Sequence, residues 1–253
     1  MKDDRILFPS AILGREIPLR ILLPEGENLP CLVLLHGYGG TENQWCDRSI
    51  IRTLAQQHSI AVVMPGCGDG YYEDTNENIP AFLGEELVPY LKTVLPISGR
   101  TEDCFLAGVS MGGFGALLIG AKYPQTFGKI AALSGAFIIP DVVIGNPGVL
   151  GNANPWYFKK VFGSFEDLEG SSRDPLAEAV RSAKAGKLPP VYLMCGNRDV
   201  LCRENRKIAK TLADLGVDLF WQEAEGGHTW DVWNAYLPQM FQWLNLSLLS
   251  WIQ

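Results

Sequence analysis

Residues 104–123 read CFLAGVSMGGFGALLIGAKY, an apolar run followed by a Gly-x-Ser-x-Gly motif and a stretch of small residues. The pattern predicts a buried strand over residues 105–109 and a helix over residues 112–123, which stops before Pro124. A serine on so sharp a turn adopts strained dihedrals, and small neighbours at Gly108 and Gly112 avoid a clash between strand and helix. The stretch therefore predicts a nucleophile elbow that lifts the hydroxyl of Ser110 clear of a sheet, beside the positive end of the helix.

The same alternation of short apolar runs and longer helical patterns continues along the chain in both directions. Predicted strands cover residues 17–23, 32–35, 60–64, 105–109, 130–133, 191–195 and 219–224. Predicted helices cover residues 49–58, 85–95, 112–123, 203–215 and 236–249. Most of the strands are continuously apolar, which is typical of strands covered on both faces. We expect an α/β fold with a mostly parallel central sheet flanked by helices.

Residues 138–190 interrupt this alternation. They contain Asn146-Pro147-Gly148 and the aromatic run Trp156-Tyr157-Phe158, with little clean periodicity. We interpret them as a small cap-like insertion or lid over one edge of the sheet. The chain, residues 1–253, is then a single domain, because α/β domains commonly reach this length.

A serine hydroxyl needs a base to become a nucleophile, and the chain has three histidines. His58 ends a predicted helix, and His36 follows the strand at residues 32–35. His228 lies in a loop after the last predicted strand. In the order serine, acid, histidine the base comes last, so His228 is predicted to be the base.

The acid is expected in the loop after the strand at residues 191–195. Asp199 lies there and is the predicted partner of His228, because a carboxylate fixes the tautomer of the imidazole and stabilises its protonated form. Capping of the following helix is its structural alternative. Glu204 is the runner-up but falls inside the next helix, and Asp231 follows His228 too closely.

An oxyanion hole requires two amide donors. The amide of Met111, directly after the serine, is one. The glycine-rich loop His36-Gly37-Tyr38-Gly39-Gly40 is expected to supply the other, from Tyr38 or, as its competitor, Gly37. His36 is then expected to brace this loop.

Composition excludes several classes of protein. The net charge of −7 with no cluster of Lys or Arg disfavours nucleic-acid binding, and no apolar run reaches the roughly 18 residues of a membrane span. The six cysteines show no Cys-x-x-Cys spacing, so neither a metal site nor a redox motif is expected, and no cofactor is implied. The first residues do not resemble a secretory signal, so we expect a cytoplasmic protein with reduced thiols.

The motifs HGYGG (36–40), GVSMGGFGA (108–116), CGNRD (195–199) and GGHTWDVW (226–233) resemble those of the esterase D group of α/β-hydrolase esterases. This group includes S-formylglutathione hydrolases, tributyrin esterases and feruloyl or acetyl-xylan esterases. The resemblance extends over nearly the whole chain and implies the α/β-hydrolase fold with Ser110, Asp199 and His228 as a catalytic triad. The segment Thr41–Trp45 is more similar to the tributyrin and feruloyl esterase branch than to the formylglutathione branch. The family often forms dimers or tetramers, so a homo-oligomer is one expectation.

Four aromatic residues are candidates for substrate contact. Tyr71 and Tyr72 follow the strand at residues 60–64, whose carboxyl end faces the site in this architecture. Trp156 lies in the insertion and Trp230 beside the loop of His228. Packing of the loops or of the insertion is the alternative for each of the four.

Three functions are consistent with these residues. The first is a serine carboxylesterase that hydrolyses short-chain acyl, acetyl or feruloyl-type esters of small molecules through an acyl-enzyme. The second is a thioesterase acting on S-formylglutathione. Glutathione is anionic, and Lys159, Lys160 and Arg198 are the candidate residues to bind it. The third is a non-catalytic binding module, which the presence of serine, acid and histidine in the right order disfavours.

Overall fold

A computed structural model describes residues 1–145 and 155–246 of the chain. These residues form an eight-stranded sheet with the order β1-β2-β4-β3-β5-β6-β7-β8. The strands are β1 (Lys2–Ser10), β2 (Arg15–Leu23), β3 (Cys31–Leu35), β4 (Ala61–Pro65), β5 (Cys104–Val109), β6 (Lys129–Leu133), β7 (Val191–Gly196) and β8 (Leu219–Ala224). β1 and β2 are antiparallel to their neighbours, and all other pairs are parallel. The expected α/β fold with a mostly parallel sheet is confirmed.

Helices cover both faces of the sheet. They are α1 (Gln44–Arg48), α2 (Ile51–His58), α3 (Ile79–Ala81), α4 (Val88–Val94), α5 (Met111–Lys122), α6 (Ile139–Ile144), α7 (Pro155–Phe162), α8 (Pro175–Lys184), α9 (Cys202–Asp214) and α10 (Trp230–Asn245). A π-helical segment, Phe82–Leu87, joins α3 to α4, and a 3₁₀ turn, Thr101–Asp103, precedes β5.

The core has two halves, one on each face of the sheet. In β3, Val33 and Leu35 point into the half that contains α5, while Leu32 and Leu34 point into the half that contains α2 and α10. All four of these side chains are fully buried. Such two-sided burial explains why the parallel strands read as continuous apolar runs and not as alternating ones.

Among the elements that the sequence did not reveal, β1 has a weak hydrophobic pattern. β1 begins with Lys2, Asp3 and Asp4, and most of its side chains are exposed because it is an edge strand. The last helix starts at Trp230 and not at residue 236, and residues 247–249 of its expected span lie outside the described residues.

The expected insertion, residues 138–190, contains α6, α7 and α8. α8 packs against α5 and thereby belongs to the helical layer of the sheet. α7 lies over the carboxyl end of the sheet, where Phe158 and Phe162 contact Tyr71. Residues 146–154 of this stretch lie outside the described residues.

The turn between β5 and α5 is packed so tightly that two glycines are required. A Cβ atom at Gly108 would lie 2.3 Å from the carbonyl carbon of Gly112. A Cβ atom at Gly112 would lie 2.4 Å from the carbonyl oxygen of Leu35, at the end of β3. These are backbone neighbours, which cannot move aside as a side chain does.

We therefore expect Gly112→Ala to lower the free energy of unfolding by about 3 kcal/mol or to prevent folding, because even one methyl group overpacks this contact. Urea unfolding followed by circular dichroism measures the change. Gly99→Ala is the matched control, since a Cβ atom there meets nothing within 4 Å. Equal stability of the two variants would contradict the tight approach of the turn to β3.

Candidate active site

Ser110 occupies the turn between β5 and α5 in a strained backbone conformation, with φ 56° and ψ −117°. Such a conformation costs about 1–3 kcal/mol in a non-glycine residue and persists only where the surroundings impose it. Here the amide of Ser110 donates to the carbonyl of Leu133, and its own carbonyl accepts from the amides of Phe114 and Ala136. The backbone of Ser110 is thus fixed from β6 and α5, and its partly exposed side chain faces a pocket.

His228 and Asp199 form a hydrogen-bonded chain with Ser110. The imidazole Nε2 of His228 lies 2.9 Å from Oγ of Ser110, and its Nδ1 lies 2.8 Å from Oδ2 of Asp199. A carboxylate only accepts, so Nδ1 carries the proton and Nε2 is left to accept from the hydroxyl. The His228 ring also packs perpendicular to the ring of Trp233, with centroids 4.9 Å apart. The tautomer with its proton on Nδ1 is the one in which an imidazole can take a proton from a serine.

The carboxyl group of Asp199 is held as a buried anion at the end of β7. Burial by itself raises its pKa, but the hydrogen bond and charge of His228 and the amide of Leu201 outweigh this and bring the pKa below its usual value. The amide of Leu201 donates to Oδ1 at 2.9 Å, which leaves Oδ2 for His228. Two separate partners therefore fix the orientation of the carboxylate.

The loop of residues 36–40, here called the oxyanion loop after the role predicted for it, follows β3. Its amide at Gly37 donates to Oε1 of Gln44 at 2.8 Å, and its amide at Gly39 donates to Oδ1 of Asp69 at 2.7 Å. The amide of Gly40 donates to the carbonyl of Gly37. Among the described residues, the amide of Tyr38 has no acceptor. The sequence offered Tyr38 or Gly37 as the second amide donor. The amide of Gly37 is engaged by Gln44, whereas that of Tyr38 is available.

The amide of Met111 is similarly placed at the first position of α5. Its N–H has no acceptor among the described residues, as expected at a helix N-terminus. Tyr38 and Ser110 line the same pocket. Met111 directly follows Ser110 in the chain, so its amide lies beside the serine that lines this pocket.

Tyr72 lies in the core and does not reach the pocket, contrary to the expectation of substrate contact. Its ring packs against Gly115 of α5, and its hydroxyl donates to the carbonyl of His36 at 3.0 Å. His36 is also buried, which lowers its pKa, and its Nδ1 donates to the carbonyl of Gly37 at 2.8 Å. A neutral His36 and Tyr72 therefore support the start of the oxyanion loop.

The pocket beside Ser110 has a volume of about 250 Å³ and a mostly apolar wall. Its lining is Tyr38, Tyr71, Ser110, Ala136, Ile138, Tyr157, Phe158, Val200, Leu201 and His228. Tyr71 is therefore the aromatic candidate that the structure brings to the site. A cavity of this size accommodates a small apolar group.

Trp156 and Trp230 lie elsewhere, and neither belongs to the described lining of the pocket. Trp156 is 74% exposed on the outer face of α7, because helical geometry turns its neighbours Tyr157 and Phe158 inward in its place. Trp230 packs edge-on against Trp45 and Trp233, behind the loop of His228.

Sequence reasoning missed most of the apolar wall. Ala136 and Ile138 follow the carboxyl end of β6, and Val200 and Leu201 directly follow Asp199. The rule that ligands bind at the carboxyl ends of parallel strands could have found these four. Phe158 lies in the aromatic run of residues 156–158, which the sequence marks as a possible lining of a substrate cleft, but which members of the run face the pocket depends on how α7 docks.

The described residues hold neither a metal-binding cluster nor a membrane-spanning helix. They contain no cluster of three or more His, Cys, Asp or Glu residues that could hold a metal ion. No helix within residues 1–145 and 155–246 is both long and apolar enough to span a bilayer.

Comparisons with known proteins agree with this geometry. Residues 10–244 match the family model described as "Putative esterase". The chain belongs to this esterase family. It is 37% identical to an acetyl esterase of Caldicellulosiruptor saccharolyticus over 259 aligned positions, which cover 95% of this chain and 97% of the relative.

Solved structures resemble the esterase in fold. FphF, a fluorophosphonate-binding serine hydrolase of Staphylococcus aureus, superposes with a TM-score of 0.88 at 22% identity and covers 97% of this chain and 99% of its own. The S-formylglutathione hydrolase FrmB of the same organism gives 0.84 at 22% identity, over 96% and 98% of the two chains. The expected α/β-hydrolase fold is confirmed.

The lowered pKa of Asp199 makes a prediction about stability. Because the pKa is lower in the folded state, Asp199 stabilises the fold above its unfolded pKa of about 3.9, and this contribution is lost as the pH falls below that value. We expect the free energy of unfolding of the wild type to fall more steeply from about pH 5 to pH 3 than that of Asp199→Asn. Denaturant unfolding at several pH values measures both slopes, and parallel curves would contradict the assignment.

Proposed function

We propose that this esterase is a serine carboxylesterase in which Ser110, Asp199 and His228 form the catalytic triad. The observation that carries the proposal is the pair of hydrogen bonds at His228: its Nε2 accepts from Oγ of Ser110 at 2.9 Å, and its Nδ1 donates to Oδ2 of Asp199 at 2.8 Å. The strained backbone of Ser110 supports it, because strain of this kind accumulates at functional positions.

In the acylation step Oγ of Ser110 attacks the carbonyl carbon of the ester while Nε2 of His228 takes the hydroxyl proton. The carbonyl electron pair moves onto oxygen, and the amides of Tyr38 and Met111 donate to the resulting oxyanion. The buried carboxylate of Asp199 stabilises the imidazolium. The C–O bond to the alcohol then breaks, the alkoxide takes the proton from Nε2, and the acyl group stays on Ser110.

Deacylation repeats these steps with water. His228 takes a proton from water as the oxygen attacks the acyl carbon, and the same two amides hold the second oxyanion. Collapse breaks the bond to Oγ of Ser110, which regains a proton from Nε2. The carboxylic acid leaves, and the free enzyme is restored without a cofactor.

The pocket favours a small acyl group. Its volume of about 250 Å³ and its apolar wall suit an acetyl to butyryl chain better than a long one. The acetyl esterase at 37% identity supports the same substrate class. Phe158, which is 3% exposed and stacks on Phe162, closes one side of this pocket.

A glutathione thioester is less favoured as the substrate. The guanidinium of Arg198 lies 3.6 Å from the carboxylate of Glu225, and Lys159 and Lys160 are exposed beside Trp156. No Lys or Arg belongs to the described lining of the pocket, so the anionic groups of glutathione would meet no cation there. We also propose a cytoplasmic location, which the six free cysteines support.

Replacing Ser110 by Ala tests the triad. Hydrolysis of p-nitrophenyl acetate should fall at least about 10⁴-fold, because the nucleophile is lost while the oxyanion hole remains. Labelling by a fluorophosphonate probe should vanish together with activity. Ser164→Ala, at an exposed serine in the loop after α7, is the matched control and should keep both. Activity that survives the loss of Ser110 would refute the proposed nucleophile.

Enlarging the pocket tests the acyl specificity. Phe158→Ala should raise the rate on octanoyl esters relative to acetyl esters by about tenfold, because truncating the ring opens the apolar wall by several methylene groups. A p-nitrophenyl ester series from acetyl to decanoyl measures the profile. The neighbouring Trp156→Ala should leave the profile unchanged, as Trp156 faces away from the pocket. If Phe158→Ala has the wild-type profile, the acyl chain does not bind there.

A further inference from the structure

Three side chains from outside the oxyanion loop, those of Gln44, Asp69 and Tyr72, hold its backbone, and none of them has a role in the mechanism above. Gln44 occupies the amide of Gly37 and Asp69 occupies the amide of Gly39, one on each side of Tyr38. Gly39 has a φ of +70°, so the chain reverses directly after Tyr38. The hydrogen bond from Gly39 to Asp69 thus holds the peptide that follows Tyr38, and the hydrogen bond from Gly40 to the carbonyl of Gly37 closes the turn around it.

Asp69 is itself held by the insertion. The hydroxyl of Tyr157, on α7, donates to the backbone carbonyl of Asp69. Burial raises the pKa of Tyr157, so this phenol stays protonated and remains a donor. The ring of Tyr157 also packs edge-on against the ring of Tyr38, with centroids 5.3 Å apart and an interplanar angle of 76°. One residue of α7 thus contacts the oxyanion loop directly and through Asp69.

α7 is in turn fixed over the sheet. Phe158 and Phe162 pack on Tyr71, and Tyr71 packs edge-on against Phe114 of α5. α5 begins with Met111, which carries the other free amide. The two proposed oxyanion donors, on separate elements, are consequently linked through α7.

We propose that Asp69 and Tyr157 are positioning residues that aim the amide of Tyr38 at the oxyanion, so that the docking of α7 sets how well the enzyme stabilises the transition state. This inference rests on the proposed function, since it assumes the triad and the two amide donors. Neither residue touches the reacting atoms in this role. The hydrogen bond from Tyr157 orients Asp69, and the carboxylate of Asp69 fixes Gly39.

A loosened donor changes kcat more than KM. The oxyanion carries more negative charge than the ester carbonyl, so an amide that is poorly aimed loses more in the transition state than in the bound substrate. Complete loss of one donor costs about 10²–10³ in kcat, and a donor that is present but less well held should cost less. A misplaced packing residue in the pocket would instead raise KM or alter the acyl-chain profile.

Two variants with matched controls test the proposal on the full-length enzyme. Tyr157→Phe removes only the hydroxyl, and Asp69→Ala removes only the acceptor for Gly39. Each should lower kcat for p-nitrophenyl acetate by about 10- to 30-fold with little change in KM. Asp69→Asn should recover most of the activity lost in Asp69→Ala, because an amide oxygen also accepts from Gly39. Tyr90→Phe and Asp167→Ala, at surface positions away from the loop, should keep the wild-type kcat.

Two further readouts separate positioning from a general loss of structure. A boronic acid inhibitor forms a tetrahedral adduct on Ser110, so its inhibition constant should weaken in parallel with kcat/KM while the melting temperature stays near that of the wild type. The double variant Tyr157→Phe/Asp69→Ala should lose less than the product of the two single losses, because both residues act through Gly39.

The contrary results are distinct. Three results would overturn the positioning role and leave the triad intact. They are a wild-type kcat in Tyr157→Phe, a higher KM with an unchanged kcat, and losses in the double variant that equal the product of the single losses. If the wild-type enzyme shows no hydrolysis that depends on Ser110, the proposed function and this inference are both overturned.

Discussion

The site depends on one steric constraint, the contact between the turn at Ser110 and the end of β3. Gly108, Gly112 and the carbonyl of Leu35 approach so closely that no side chain fits between them. This contact brings the start of α5 against the start of the oxyanion loop. The turn that carries Ser110 and Met111 therefore lies against the backbone from which the loop of Tyr38 starts.

Parallel strands then bring Asp199 and His228 to the same edge of the sheet. β7 ends at the loop of Asp199 and β8 at the loop of His228, and the two loops meet where the amide of Arg198 donates to the carbonyl of Gly226. Burial raises the pKa of the Asp199 carboxyl group, but His228 and the amide of Leu201 outweigh burial and bring the pKa below its usual value. The hydrogen bond from His228 to Asp199 therefore joins the two loops. In the proposed mechanism it also prepares the imidazole to accept a proton.

Residues that act through backbone position could be predicted from the sequence, and residues that act through side-chain packing could not. Ser110, Asp199 and His228 each follow a recognisable strand, so the carboxyl-end rule brings them together before any contact is known. Whether Tyr71 or Tyr72 faces the pocket depends on two consecutive residues with positive φ, which no apolar pattern encodes. Trp156 and Tyr157 differ only by 100° around α7, and the docking angle of that helix decides which of them reaches the oxyanion loop. β1 escaped detection because it is an edge strand with charged residues.

The central claim is that catalysis passes through an ester on Ser110. Intact-mass and peptide mass spectrometry of enzyme quenched during turnover of p-nitrophenyl acetate test it most directly. We expect one acetyl group per chain, located on the peptide that contains Ser110, with a burst of p-nitrophenol equal to the enzyme concentration. Steady turnover of the ester with no acetylated peptide, or with the acetyl group on another residue, would contradict the account.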